Sequence, residues 1–289
     1  MSWLFDGLHD WFKQVLIDAI MACFSSMFGS VNSQVTDIAT QVGQTPAGWN
    51  ASIFAMIRTL SETVVLPIAG MILTFVLCFE LIQLIIEKNN LSDFDTFNIF
   101  KWIFKTFVAV FILTNTFNIV MAVFDLAQNA VTASAGHITG SLEFGNDAMM
   151  DAIQAQLEAK EFGELIGLFL ESQILKLCMG IMAIIIFIVV VGRMIEIYLT
   201  VSIAPIPLST MVNREWGQMG NNYLKSLFAL AFQGFLIMVC VAIYAVLVGG
   251  VAASDNIHVT IWSVAGYTAL LSFMLLRSGG LARSLFSAH

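Results

Sequence analysis

The side chains able to do chemistry in this sequence are few and scattered. Glu80 is the sharpest candidate, a lone carboxylate inside an apolar run. A membrane helix carries such a group only where it faces protein or water, and there it can bind a proton or a cation. Near the end of a span it can also reach the interface, which is a purely structural role. Arg193 and Glu196 are three residues apart in another apolar run, so they share a helix face and could pair as an interfacial anchor. The four histidines, His9, His137, His258 and His289, have no metal-pair spacing. No G-x-S-x-G, Walker A, H-E-x-x-H or G-x-G-x-x-G pattern occurs. No catalytic residue, no metal and no cofactor is therefore expected. Cys23, Cys78, Cys178 and Cys240 sit singly in apolar runs and read as small buried hydrophobes.

The elements that must hold these residues are membrane helices. Apolar runs cover 63–86, 101–124, 173–199, 224–249 and 259–276. Each is close to the roughly 20 residues that cross about 30 Å of hydrocarbon. Hydrophobic residues make up 58% of the chain and charged ones 11%, against about 25% charged in soluble domains. No Asn-Gly or Asp-Gly signals separate alternating strands, so a barrel is not expected.

Loop charge then sets direction. Lys88, Lys101, Lys105, Arg193, Arg214, Lys225, Arg277 and Arg283 are eight of the twelve basic residues, and five crossings put all eight on one side. Positive charge stays cytoplasmic, so the N-terminus is expected outside and the C-terminus inside. The segment 125–172 is acidic, with Asp125, Glu143, Asp147, Asp151, Glu158, Glu161, Glu164 and Glu171 against Lys160. Such a charge repels nucleic-acid phosphate.

The expected architecture is all-α and polytopic: five transmembrane helices plus an N-terminal amphipathic helix. Residues 1–61 hold that helix, over 3–28, and a polar linker. Trp3 and Trp11 suit the depth of the membrane interface. The start MSWLFDGLHDWFK lacks a basic n-region, so no signal peptide is expected. Residues 62–124 carry two spans around a cytoplasmic link at 87–100. Asn115 and Asn118 in the second span could bond neighbouring helices or line a wet lumen. Residues 125–172 form the outer segment, helical in its second half with a break at Gly163. Residues 173–276 carry three spans around the cytoplasmic link 203–222, and 277–289 is a cytoplasmic tail, frayed beyond Gly280. Pro205 and Pro207 lack N–H groups, so the helix through them must kink or stop. Gly70, Gly180, Gly192, Gly249, Gly250 and Gly266 allow close helix contact, within the chain or between copies.

The stretch 191–248 carries the A-P-I-P break at Ala204–Pro207, a short polar loop, the N-Y-L-K sequence and a long helix with Gln233-Gly234. It resembles the TrbL-type conjugal-transfer membrane proteins of type IV secretion systems, above all versions from conjugative elements of Gram-positive bacteria. The resemblance implies a homo-oligomeric ring in the bacterial cytoplasmic membrane, bounded by lipid. It also implies transfer ATPases beneath, a stalk or cell-wall component outside, and a DNA–protein substrate. Direct DNA contact by the acidic outer segment is in doubt. The alternative is a stand-alone small-solute channel or transporter, with Glu80 its functional charge.

Overall fold

The computed structural model describes residues 2–86, 96–138, 147–213, 215–251 and 256–288. Lys88, Glu143, Arg214 and His289 lie outside them, as do the side chains of Trp3 and His137. Among the described residues all regular structure is helical. The chain begins with α1 (Ser2–Val42), α2 (Pro46–Trp49) and α3 (Ala51–Leu60). A π-helical turn, Ser61–Val65, joins α3 to α4 (Leu66–Ile86). Next come α5 (Thr96–Thr114), α6 (Thr116–Ile138) and α7 (Asp147–Glu158). Then α8 (Phe162–Ser202), α9 (Pro205–Thr210), α10 (Gly217–Val251) and α11 (Ile257–Leu285) complete it.

Among the described residues, six stretches are long and apolar enough to cross a membrane: Gly7–Val42, Ala51–Ile86, Phe97–Thr114, Phe162–Ser202, Gly217–Val251 and Ile257–Leu285. The protein is an all-α, multi-pass membrane protein. Five of the stretches overlap the expected spans. The sixth is α1, which the sequence reading set in the interface.

The chain divides into two compact units. The first comprises Met1–Gly43, Thr132–Val190 and Ile237–Arg277. Here α1 differs from expectation: it runs to Val42 instead of giving way to a linker after residue 28. The reason is a continuous apolar stripe, Ile17, Ile20, Phe24, Phe28, Val31, Val35, Ile38 and Val42, each at most 2% exposed. Its three- and four-residue steps match a helix face, and burial of that face holds the helix through its polar half. Helix α7 packs on α1, and Lys13 Nζ donates to the terminal Glu158 carbonyl at 2.8 Å. The chain breaks at 159–161, just ahead of Gly163, before α8 begins.

The second unit comprises Gln44–Val131, Val191–Leu236 and Ser278–His289. Thr45 caps α2 by accepting from Gly48 N, with Pro46 at the first helical position, and Asn50 caps α3 by accepting from Ile53 N. The core joins Phe117, Val120 and Phe124 of α6 to Met194, Ile197 and Val201 of α8 and to Leu208, Leu227 and Leu230. The chain's end is ordered further than expected. α11 continues to Leu285, and Phe286 packs on Phe228 and Phe232 while Ala282 and Ala288 are buried.

Candidate functional site

Pro205 and Pro207 stop α8 in a specific way. In an unbroken helix Val201 O would accept from residue 205 and Ile203 O from residue 207, but proline offers no N–H. Both carbonyls accept from one residue earlier instead, from Ala204 N at 3.2 Å and Ile206 N at 3.1 Å. The chain tightens there and restarts as α9, whose Pro205, Pro207, Leu208, Ser209 and Thr210 are all buried. Helix α9 packs against α4 and α5. Ala204 N has turned to Val201 O, so it no longer serves Thr200 O, and Tyr223 OH of α10 donates to that carbonyl at 3.0 Å. Gly220 makes the return possible: a Cβ there would stand 2.7 Å from Pro207 O. Asn213 Oδ1 accepts from Glu215 N and Trp216 N, which turns the chain into α10. Trp216 then stacks on Phe75 and Phe79 of α4, each 5.7 Å between centroids.

Arg193 and Glu196 do not form the expected ion pair. Arg193 is 7% exposed and lies flat against Gly234 of α10, while Glu196 pairs with Arg283 of α11. The missing side chain at 234 leaves a slot that admits the guanidinium, and Glu196 is left on the outer side of α8 within reach of α11. Arg193 Nε has no hydrogen-bond partner among the described residues. One residue before Gly234, Gln233 Nε2 donates to Ser278 Oγ at 3.1 Å, both side chains buried. The second unit thus buries the polar side chains of Arg193, Gln233 and Ser278.

Glu80 is ion-paired with Lys105 of α5, and its second oxygen is buried without a hydrogen-bond partner among the described residues. Gln83 Nε2 donates to Glu215 Oε1 at 3.3 Å. Asn115 stands at the junction of α5 and α6, where its Nδ2 donates to Phe111 O at 2.9 Å, and Asn118 is exposed. The neighbouring Thr114 donates within α5, to Val110 O, and Thr116 of α6 reaches back across the junction to Ile112 O. Trp11 is 58% exposed on α1. Of the four cysteines only Cys23 is buried, and Cys78 is exposed.

Two further groupings escape a reading of the sequence, because each joins residues far apart in the chain. Tyr198 OH donates to Pro46 O at 2.6 Å and fixes the α2 turn on α8. Glu171 accepts from Trp262 Nε1 and meets His258 Nδ1 at 2.8 Å. Among the described residues no group of three or more His, Cys, Asp or Glu could hold a metal ion. What these features can do is fix helix positions and charge; none brings a nucleophile to a base.

The family described as TrbL/VirB6 plasmid conjugal transfer like protein matches residues 31–205, well over half of the 289-residue chain. The chain belongs to this TrbL/VirB6 family. It is therefore a conjugal-transfer component of the type IV secretion kind. The family match runs from the polar half of α1 to the first proline of the break. It includes Glu80, Lys105, Arg193 and Glu196 and stops short of Gly234 and Arg283. No curated protein and no solved structure matches the chain.

Proposed function

We propose that this TrbL/VirB6 protein is a scaffold and channel component of a conjugative type IV secretion system in a Gram-positive element. Several copies form a ring in the cytoplasmic membrane around a passage for a DNA–protein substrate. The carrying observation is the family match over residues 31–205 on a chain with six helices able to cross a membrane. The protein performs no catalytic step, and transfer ATPases supply the energy.

Loop charge supports the sidedness. The link 203–222, with α9 at its start and Arg193, Arg214 and Lys225 in and around it, faces the ATPases, and the acidic segment 125–172 faces a stalk or cell-wall component. Exposed apolar faces support contact with lipid and with neighbouring copies. Phe97, Phe100, Phe104, Phe107 and Phe111 of α5, all more than half exposed, repeat at alternating three- and four-residue steps. The stand-alone transporter is less well supported, since Lys105 neutralises its best functional charge, Glu80.

Deletion of the gene in a donor strain, with complementation in trans, tests the reading. Transfer is expected to fall to background and return with the intact chain. Undiminished transfer, or solute flux through the pure protein in liposomes, would sink it.

A further inference from the structure

We infer that α1 from Cys23 to Val42 crosses the membrane beside α8 and lines water with its polar face, an inference that rests on the channel reading above and names part of the passage wall.

Helices α1 and α8 run parallel in the first unit. The His9 ring lies 5.1 Å from Phe162, and Gln173 Nε2 donates to Cys23 Sγ at 3.1 Å. Further on, Ser33, Asp37 and Gln41 border one groove with Ile186, Phe187 and Val190. So α1 beyond Cys23 lies level with α8 beyond Gln173. That part of α8 presents a hydrocarbon-facing surface: Ile174, Leu177, Ile181, Ile184 and Ile188 are 49% to 68% exposed. At 1.5 Å per residue, Cys23 to Val42 rises about 28 Å, close to the thickness of the hydrocarbon layer.

Over this same length the outer face of α1 has the opposite chemistry. Ser26, Ser33, Thr36, Asp37 and Thr40 are exposed, whereas no large apolar side chain of α1 is exposed beyond Val15. Upstream, Leu8, Trp11, Phe12 and Val15 are exposed apolar side chains, beside exposed His9, Asp10 and Gln14. The hydroxyls alone would suit a dry contact between helices, because Ser30, Ser33 and Thr36 each donate to a backbone carbonyl one turn back. Asp37 decides against that. Its carboxylate has no hydrogen-bond or ion-pair partner among the described residues. At hydrocarbon depth a carboxylate needs water or a countercharge. A water-filled passage accommodates the hydroxyls and Asp37 together; lipid leaves Asp37 without a partner.

Thiol labelling in donor cells carrying the whole transfer apparatus tests this. The chain's own cysteines are first replaced by serine. Single substitutions Ser33→Cys, Thr36→Cys and Thr40→Cys on α1 are compared with Ile181→Cys and Ile184→Cys on α8, using a membrane-impermeant thiosulfonate. Modification needs the thiolate, which forms only in contact with water. The α1 positions are expected to react at least about tenfold faster than the α8 positions. Equally slow reaction overturns the inference in favour of a dry contact, and equally fast reaction overturns it by placing the stretch outside the membrane. Where a substitution blocks transfer, nitroxide labels at 36 and 184 in nanodiscs give the same comparison, with a water-soluble nickel chelate broadening only the first. A particle that forms a ring while 33, 36 and 40 stay unreactive overturns this inference alone. A monomer in a strain that still transfers DNA overturns the channel reading instead.

Discussion

Gly234 of α10 lies directly on the guanidinium of Arg193: a Cβ at 234 would stand 2.6 Å from Nη2 and 3.0 Å from Cζ. The two helices can approach only because that position has no side chain. Gly234→Ala must displace either α10 or the buried arginine. Overpacking of this kind costs about 1–3 kcal/mol, so the thermal midpoint in detergent is expected to fall. The loss should be much smaller in an Arg193→Ala background, where the opposing group is gone. Equal losses in both backgrounds would show that the contact is not the cause.

Replacing Pro205 and Pro207 together by alanine restores the N–H groups that a continuous helix would offer to Val201 O and Ile203 O, which now accept from Ala204 N and Ile206 N. Each interior proline opposes a helix by roughly 3 kcal/mol, so the double variant should carry α8 straight through the break. That moves Thr200 away from Tyr223 and pulls α9 from its seat on α4 and α5. Membrane insertion, followed by fractionation and immunoblot, is expected to be normal while transfer frequency collapses. Transfer at the unaltered level would refute a role for the break.

Tyr198→Phe removes the buried hydrogen bond to Pro46 O and a longer one to Asn50 O at 3.5 Å, while the ring can keep its contact with Trp49. A buried carbonyl left without its donor costs about 1–3 kcal/mol. The expected result is a lower unfolding midpoint with faster proteolysis near residues 43–50. An unchanged cleavage pattern would mean the turn is held by other contacts.

What the sequence revealed follows from where the physics acts. Membrane helices must be long and apolar, so five of the six stretches are legible as runs. The proline break is legible because a missing N–H is a property of the residue itself. The stripe of Val31, Val35, Ile38 and Val42 was hidden, because serines, threonines and glutamines between those residues make the composition look like a linker. The pairing of Arg193 with Glu196 rested on helical spacing, and the empty position at Gly234 overrode it from another helix. Glu80 with Lys105 and Glu171 with His258 join different helices, so no local pattern announces them. The family itself was read from 191–248, whereas the match lies over 31–205. The two overlap only around the end of α8 and the first proline.

Glu80→Gln keeps the shape of the side chain and removes the charge that Lys105 answers. A scaffold is expected to tolerate it, with transfer frequency within a few-fold of the parent and a small loss of stability, about 1 kcal/mol for a part-exposed ion pair. Loss of all function with normal assembly would point to proton or cation movement through Glu80.

The mass and symmetry of the particle extracted in mild detergent bear most directly on how this protein works, measured by native mass spectrometry together with electron-microscopic class averages. A closed ring of several identical copies is the expected result. A stable monomer, in extracts of cells that carry the whole transfer apparatus, would contradict the channel-scaffold account.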